Sequence, residues 1–302
     1  MKSILLLSLS FLAMFVSSLG AQEKLLKESE KILVLGDSIT QNGKYVTFFA
    51  EWLAKKYPDK KFTVINAGVA SETISGLSEK NHAGGRFPRP SVFERLERVL
   101  AKTNPDLIIS CYGINCGIYL PLDEARFEKF KNGNLRLRAA AKQYNAQVVH
   151  VTPPFFDNHG KKGFNYNDVL SAYAKWLVKQ REQGWYVADL HSEMQKTVMD
   201  ERKKNPDFTV QKDRVHPNTQ GHWMMAQSLI RYFGDAKSAE LANAGLLLND
   251  AKKSKAVAEK MRVYQRAIHA ETKPLRPGVP QGGTLKEAEK MALELDKVIY
   301  PN

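Results

Sequence analysis

Lys31-Ile-Leu-Val-Leu-Gly-Asp-Ser-Ile-Thr40 is the stretch on which the fold reading rests. The apolar run Ile32–Leu35 is too short for a helix and reads as a buried strand, broken at Gly36, with a serine hydroxyl presented where the strand ends. Working outward, the same pattern recurs at Phe62–Ile65, Leu107–Cys111, Val148–Thr152 and Trp185–Ala188, each bounded by Gly, Pro, Asn or Asp. Between these runs, Lys44–Tyr57, Ser91–Lys102, Glu124–Tyr144 (weakened by Gly133), Asp168–Gln183 and Gly221–Phe233 carry apolar residues at helical spacing. Tyr45, Phe48, Phe49, Trp52 and Leu53 form the core stripe of the first of these helices. Alternation of this kind predicts an α/β fold: a mostly parallel sheet with helices on both faces. Ligands of such sheets bind outside the carboxyl ends of the strands. Ser38, Asn66, Gly68 and Asn115 all fall on that edge.

Far downstream, Asp213-Arg-Val-His-Pro217 sets a carboxylate and an imidazole three positions apart in a Pro-bounded loop. A serine becomes a useful nucleophile only beside a base that a third group orients. Ser38, His216 and Asp213 supply those three groups.

The first twenty residues bear on compartment. Lys2 provides a positive start, Ile4 to Val16 an apolar stretch, and Ser17-Ser-Leu-Gly-Ala21 small residues suited to cleavage. Residues 1–21 therefore read as a secretory signal, with an uncleaved N-terminal anchor as the alternative. The expectation is an exported protein, periplasmic or extracellular, with no stable membrane insertion after cleavage. The chain of 302 residues carries a net charge of +13, and Lys2 is the only charged residue in 1–21, leaving +12. Such a balance would raise nucleic acid as a partner in a cytosolic protein. Export and the scatter of basic residues among acids argue against it. Two cysteines, Cys111 and Cys116, are too few for a disulfide framework and read as free thiols. No histidine pairs with Cys or carboxylate at metal-ligand spacing, so neither metal nor cofactor is expected.

Four blocks then occur in order: Gly36-Asp-Ser-Ile-Thr40, Asn66-Ala-Gly68, Gly113-Ile-Asn115 and Asp213-Arg-Val-His216. Together they resemble the SGNH, or GDSL-type, serine hydrolases, over roughly residues 31–233. The resemblance implies a flavodoxin-like three-layer α/β/α sandwich, with Ser38 as nucleophile, His216 as base and Asp213 as its orienting acid. It further implies an oxyanion hole made of the Ser38 and Gly68 backbone N–H groups and the Asn115 side-chain amide. Many members place Asp after that asparagine; here Cys116 stands there, which puts in doubt only the support of the loop. Residues 22–234 would form the hydrolase domain. Residues 235–302, rich in Ala, Lys and Glu and split by Pro274–Gly283, read as a helical extension packed on it.

Two loops at the same edge, Glu72–Pro90 and Pro153–Asn167, mix basic and aromatic residues. Asp37, Arg86, Phe155 and Tyr166 are the substrate-contact candidates. With no long apolar lid, the expected reaction is removal of a short acyl group, most simply acetyl, from a carbohydrate or other acylated small molecule. The alternatives are a lysophospholipase or thioesterase using the same machinery, and a non-catalytic glycan-binding protein on the same fold.

Overall fold

The computed structural model describes residues 20–301. The proposed signal therefore lies outside the described residues as far as residue 19. A helix over residues 20–27 follows, and it buries Leu25 and Leu26 in the core.

Five strands form one sheet: β1 (Lys31–Gly36), β2 (Thr63–Asn66), β3 (Leu107–Cys111), β4 (Gln147–Val151) and β5 (Tyr186–Ala188). Their order is β2-β1-β3-β4-β5 and every pairing is parallel, with Val34 opposite Asn66 on one side and Ile109 on the other. This is the flavodoxin-like order. Expected strand positions hold to within a residue or so, because each strand is buried on both faces and its apolar run has no helical period. The sheet is wholly parallel, not mostly so.

Besides the helix over residues 20–27 and a single turn at Ala236–Ala239, the helices are α1 (Ser38–Asn42), α2 (Lys44–Lys56), α3 (Leu96–Thr103), α4 (Glu124–Gln143), α5 (Asn167–Lys179), α6 (Leu190–Arg202), α7 (Thr219–Tyr232), α8 (Ala251–Thr272) and α9 (Leu285–Ile299). They flank the sheet in three layers. The α2 stripe is largely as expected: Tyr45, Phe49, Trp52 and Leu53 are buried and Phe48 partly so. Phe49, Trp52 and Phe233 stack as one aromatic cluster, with ring centroids 5.5–6.4 Å apart, locking α2 against the end of α7. Gly133 does not interrupt α4. Two of these helices, like the one over residues 20–27, went unread in the sequence. α1 is only five residues long, and α6 carries a weak apolar stripe with four buried residues, Leu190, His191, Met194 and Val198.

The C-terminal helices α8 and α9 pack against each other, and α8 also packs on β2, α2 and α3. β2 is an edge strand, and its side of the sheet is covered this way rather than left open for pairing. A buried ion pair, Lys260 Nζ to Asp296 Oδ1 at 2.6 Å, joins the two helices, and the same ammonium donates to the Phe62 carbonyl at 3.2 Å. Among the described residues, no helix is long and apolar enough to cross a membrane.

Candidate active site

Close packing builds the turn that carries Ser38. A Cβ on Gly36 would lie 2.0 Å from Thr40 Oγ1 and 2.8 Å from the Cys111 carbonyl, so only glycine lets β1 end against β3 in this way. The chain then enters α1 directly. Asp37 caps that helix, its Oδ1 accepting the Ile39 N–H at 3.0 Å, and a contact of 2.9 Å between Thr40 Oγ1 and Tyr45 Oη ties α1 to α2. Ser38 is thereby the first residue of α1, half-buried, at the point where strand order reverses between β1 and β3.

His216 arrives on the loop before α7. Its Nε2 lies 2.8 Å from Ser38 Oγ, and its Nδ1 lies 2.6 Å from Asp213 Oδ2. A carboxylate only accepts, so Nδ1 carries the proton and Nε2 is left to accept from the serine hydroxyl. The other Asp213 oxygen, Oδ1, accepts the backbone N–H groups of Val215 and His216, at 3.0 and 2.7 Å. Partial burial alone would raise the Asp213 pKa. The bonds from the His216 ring and from these two N–H groups outweigh it and hold the carboxyl below its ordinary range. The His216 and Asp213 side chains are 51 % and 56 % exposed, so the cluster opens onto solvent without a covering lid among the described residues.

The turn after β2 shows where its donors go. Ala67 N–H donates to Val34, Gly68 N–H to Asn66 Oδ1 at 2.9 Å, Val69 N–H to Gly36 O, Ala70 N–H to Gln41 Oε1, and Glu72 N–H to Val69 O. The Gly68 N–H is thus already engaged. Its missing side chain serves close packing instead, since a Cβ there would sit 2.5 Å from the Gln41 nitrogen. Ser71 alone in the run 67–72 has a backbone N–H with no acceptor among the described residues. It is held at φ 69°, a left-handed backbone that serine seldom adopts. Nothing in the residue type announces this, because the conformation belongs to the path of the chain between the bonded N–H groups of Ala70 and Glu72.

Asn115, after β3, is 3 % exposed. Its Oδ1 accepts from Tyr119 Oη at 3.1 Å, and its Nδ2 donates to the Glu72 carbonyl at 3.3 Å. These two bonds orient the amide and leave one of its N–H groups uncommitted. Beneath it lies a buried ion pair that the sequence did not reveal. Arg95 holds Glu72 with two bonds, 2.6 and 2.8 Å, and also reaches the Ala67 carbonyl at 2.6 Å, while Tyr112 Oη donates to Glu72 Oε2 at 2.5 Å. Cys116 is fully buried and its thiol is pushed up to about 11, which removes any thiolate role near neutrality. Both cysteines are free.

The four substrate-contact candidates do not gather around Ser38 as an exposed set. Asp37 is buried and spent on the cap, its pKa pushed up to about 7 by burial against the opposing pull of the Ile39 N–H. Phe155 is a core residue at 2 % exposure. Tyr166 is equally buried and accepts the Gly117 N–H at 3.1 Å. Arg86 is exposed but folded onto the Ala83 carbonyl of its own turn. Phe155 and Tyr166 are drawn into packing while Phe164 of the same loop stays exposed, a division that residue type alone does not reveal. Tyr119 packs on Tyr166 at 4.8 Å with Arg89, itself paired with Glu79, over its ring, and Arg214 is exposed over Phe156 on the loop of Asp213 and His216. Among the described residues, no group of three or more His, Cys, Asp or Glu is arranged to hold a metal ion.

No curated protein matches this sequence. Among solved structures, a gut microbial diltiazem-metabolizing enzyme superposes with a TM-score of 0.55 at 19 % identity, covering 68 % of this chain and 47 % of its own. The present chain thus spans about half the length of that protein. A catalytic mutant of an acetylxylan esterase from Geobacillus stearothermophilus superposes with a TM-score of 0.53 at 19 % identity, covering 68 % of this chain and 94 % of its own. The acetyl xylan esterase AlAXEase gives 0.53 at 21 % identity, with 67 % and 98 % covered. At these identities the likeness is one of fold. The sequence itself matches the family model over residues 34–224, from the middle of β1 into α7, and so takes in Ser38, Asn115, Asp213 and His216. The chain belongs to the GDSL-like lipase/acylhydrolase family of ester hydrolases.

Proposed function

We propose that this protein is an exported serine esterase that removes short acyl groups, most simply acetyl, from a carbohydrate, using Ser38, His216 and Asp213 as its triad. The observation that carries the reading is the continuous line from Ser38 Oγ to His216 Nε2 at 2.8 Å and from His216 Nδ1 to Asp213 Oδ2 at 2.6 Å. In attack, Ser38 Oγ bonds to the ester carbonyl carbon and its proton passes to His216 Nε2. The tetrahedral oxyanion then collapses: the bond to the alcohol oxygen breaks, and that oxygen takes the proton back from Nε2. Water activated by His216 repeats the sequence on the acyl-enzyme, releasing a carboxylate and free Ser38. No cofactor enters any step. Donors to the oxyanion are the Ser38 N–H and the uncommitted N–H of Asn115. As third donor Ser71 N–H is the better candidate, because Gly68 N–H would first have to leave Asn66.

The substrate class draws support from the open cluster and from Arg214, an exposed guanidinium over Phe156 on the loop that carries Asp213 and His216, since a guanidinium at the rim suits a polar ring. Acetylxylan esterases among the structural relatives point the same way. One of them was solved as catalytic mutants of a serine, an aspartate and a histidine. The apolar leader at residues 1–21 is the basis for export.

The test compares the chain from residue 22 with its Ser38→Ala variant on p-nitrophenyl acetate, butyrate and octanoate, then on acetylated oligosaccharides. Hydrolysis that falls with chain length and vanishes in Ser38→Ala is expected. Rates rising towards octanoate would move the substrate to lipid or thioester. Equal rates from the two proteins would remove Ser38 as nucleophile and leave a glycan-binding protein.

A further inference from the structure

Helix α8 (Ala251–Thr272) lies beyond the region matched by the family model, yet it reaches the two segments on which the chemistry depends. Gln265 Nε2 donates to the Gln41 carbonyl, in α1, at 2.8 Å. One turn further on, His269 Nε2 lies 3.0 Å from the Gly68 carbonyl, in the turn after β2. The two residues share a helix face because they are four apart. His269 is completely buried.

These contacts close a circuit. Gln41 is held at both ends: its carbonyl accepts from Gln265, and its side-chain Oε1 accepts the Ala70 N–H at 2.6 Å. Asn66 Nδ2 donates to the Thr40 carbonyl at 2.7 Å, and Val69 N–H donates to Gly36 O at 2.9 Å. The peptide between Gly68 and Val69 is therefore gripped on its N–H by the end of β1 and on its carbonyl by α8. Burial holds the His269 ring neutral, its pKa lowered to about 4, with the Arg95 charge adding to the effect. A neutral ring donates once, and the shorter contact, to Gly68, takes the proton in preference to the Pro280 carbonyl, 3.3 Å from Nδ1. Without that donor the Gly68 carbonyl would be left buried and unpaired, and the turn would be free to rotate.

We propose that Gln265 and His269 are positioning residues for ester hydrolysis, α8 setting the spacing between the nucleophile helix and the Gly68–Ser71 turn. This rests on Ser38 being the nucleophile. The C-terminal segment is on this view part of the catalytic apparatus and not an appendage.

The test uses the full chain with His269→Leu, His269→Gln and Gln265→Met, beside the parent and Ser38→Ala. For p-nitrophenyl acetate, His269→Leu and Gln265→Met are expected to lower kcat roughly 10- to 100-fold with KM little changed, as for misplaced reacting groups. His269→Gln, which keeps an N–H donor near the Nε2 position, should recover most of the loss. Amide exchange over residues 38–42 and 66–71 should quicken in the two apolar variants while the rest of the sheet stays protected. Parent-like kcat in both apolar variants would overturn the proposal, even if their melting temperatures fell. If the parent itself fails to hydrolyse esters, the Ser38 reading falls, and exchange alone then judges the proposal: unchanged rates at 38–42 and 66–71 overturn it.

Discussion

Removing both partners of the Glu72–Arg95 pair should destabilise the protein far less than the sum of the two single removals. The Arg95 and Glu72 side chains are 1 % and 0 % exposed and meet through two bonds of 2.6 and 2.8 Å. Glu72→Gln leaves the guanidinium buried with its countercharge gone, and Arg95→Met leaves a buried carboxylate supported only by Tyr112. Each single change should cost about 3–5 kcal/mol, the usual penalty for an uncompensated buried charge. The double variant leaves neither charge, so it should cost no more than the worse single, a coupling of about 3 kcal/mol. Equilibrium urea unfolding at pH 7, followed by fluorescence of the four tryptophans, reads this as midpoint shifts at constant slope. Because Arg95 also fixes the Ala67 carbonyl and the Glu72 carbonyl orients Asn115, both single variants should lose esterase activity in the residual folded protein. Additive single losses, or single losses below about 1 kcal/mol, would refute the view that this pair anchors the turn.

Asn115→Ala should lower kcat about 10²- to 10³-fold with KM nearly unchanged, whereas Tyr119→Phe, which removes only the hydroxyl orienting Asn115, should cost about 5-fold; steady-state kinetics separate the two, and equal effects would deny the hydroxyl an orienting role. Asp37→Asn should alter the pH dependence of stability. Burial raises the folded Asp37 pKa from 3.8 to about 7, so its neutral form favours the folded state, and that contribution is lost as pH rises from about 4 through about 7. The asparagine variant, neutral throughout, should match the parent near pH 4 and exceed it above pH 8 by at most about 4 kcal/mol in urea titrations. A residual slope from the buried Glu51, whose pKa is also pushed up to about 7, should persist in both, while identical parent and variant profiles would rule out Asp37 titration.

Much of the site was legible because its residues stand at strand ends. An apolar run broken by Gly36 locates both the strand and the hydroxyl after it, and the three-residue spacing of Asp213 and His216 lets one loop present an acid and a base together. Loop side chains were less legible. Phe155 and Tyr166 are aromatic residues in a long loop, and sequence does not say whether such residues face a ligand or the core. Ser71 gave no sign at all, since a strained φ belongs to the path of the chain and not to the residue type.

Local chemistry along the chain determined the parallel α/β architecture, the family and the choice of Ser38, Asp213 and His216 as candidates, because period, strand length and turn residues are properties of neighbours in sequence. Contacts between distant segments decided the rest. They committed the Gly68 N–H to Asn66, paired Glu72 with Arg95 beneath the turn, and brought Gln265 and His269 some two hundred residues along the chain onto the backbone of Gln41 and Gly68. Hydrogen-bond partners of backbone groups are chosen in space, and only the folded structure holds that choice.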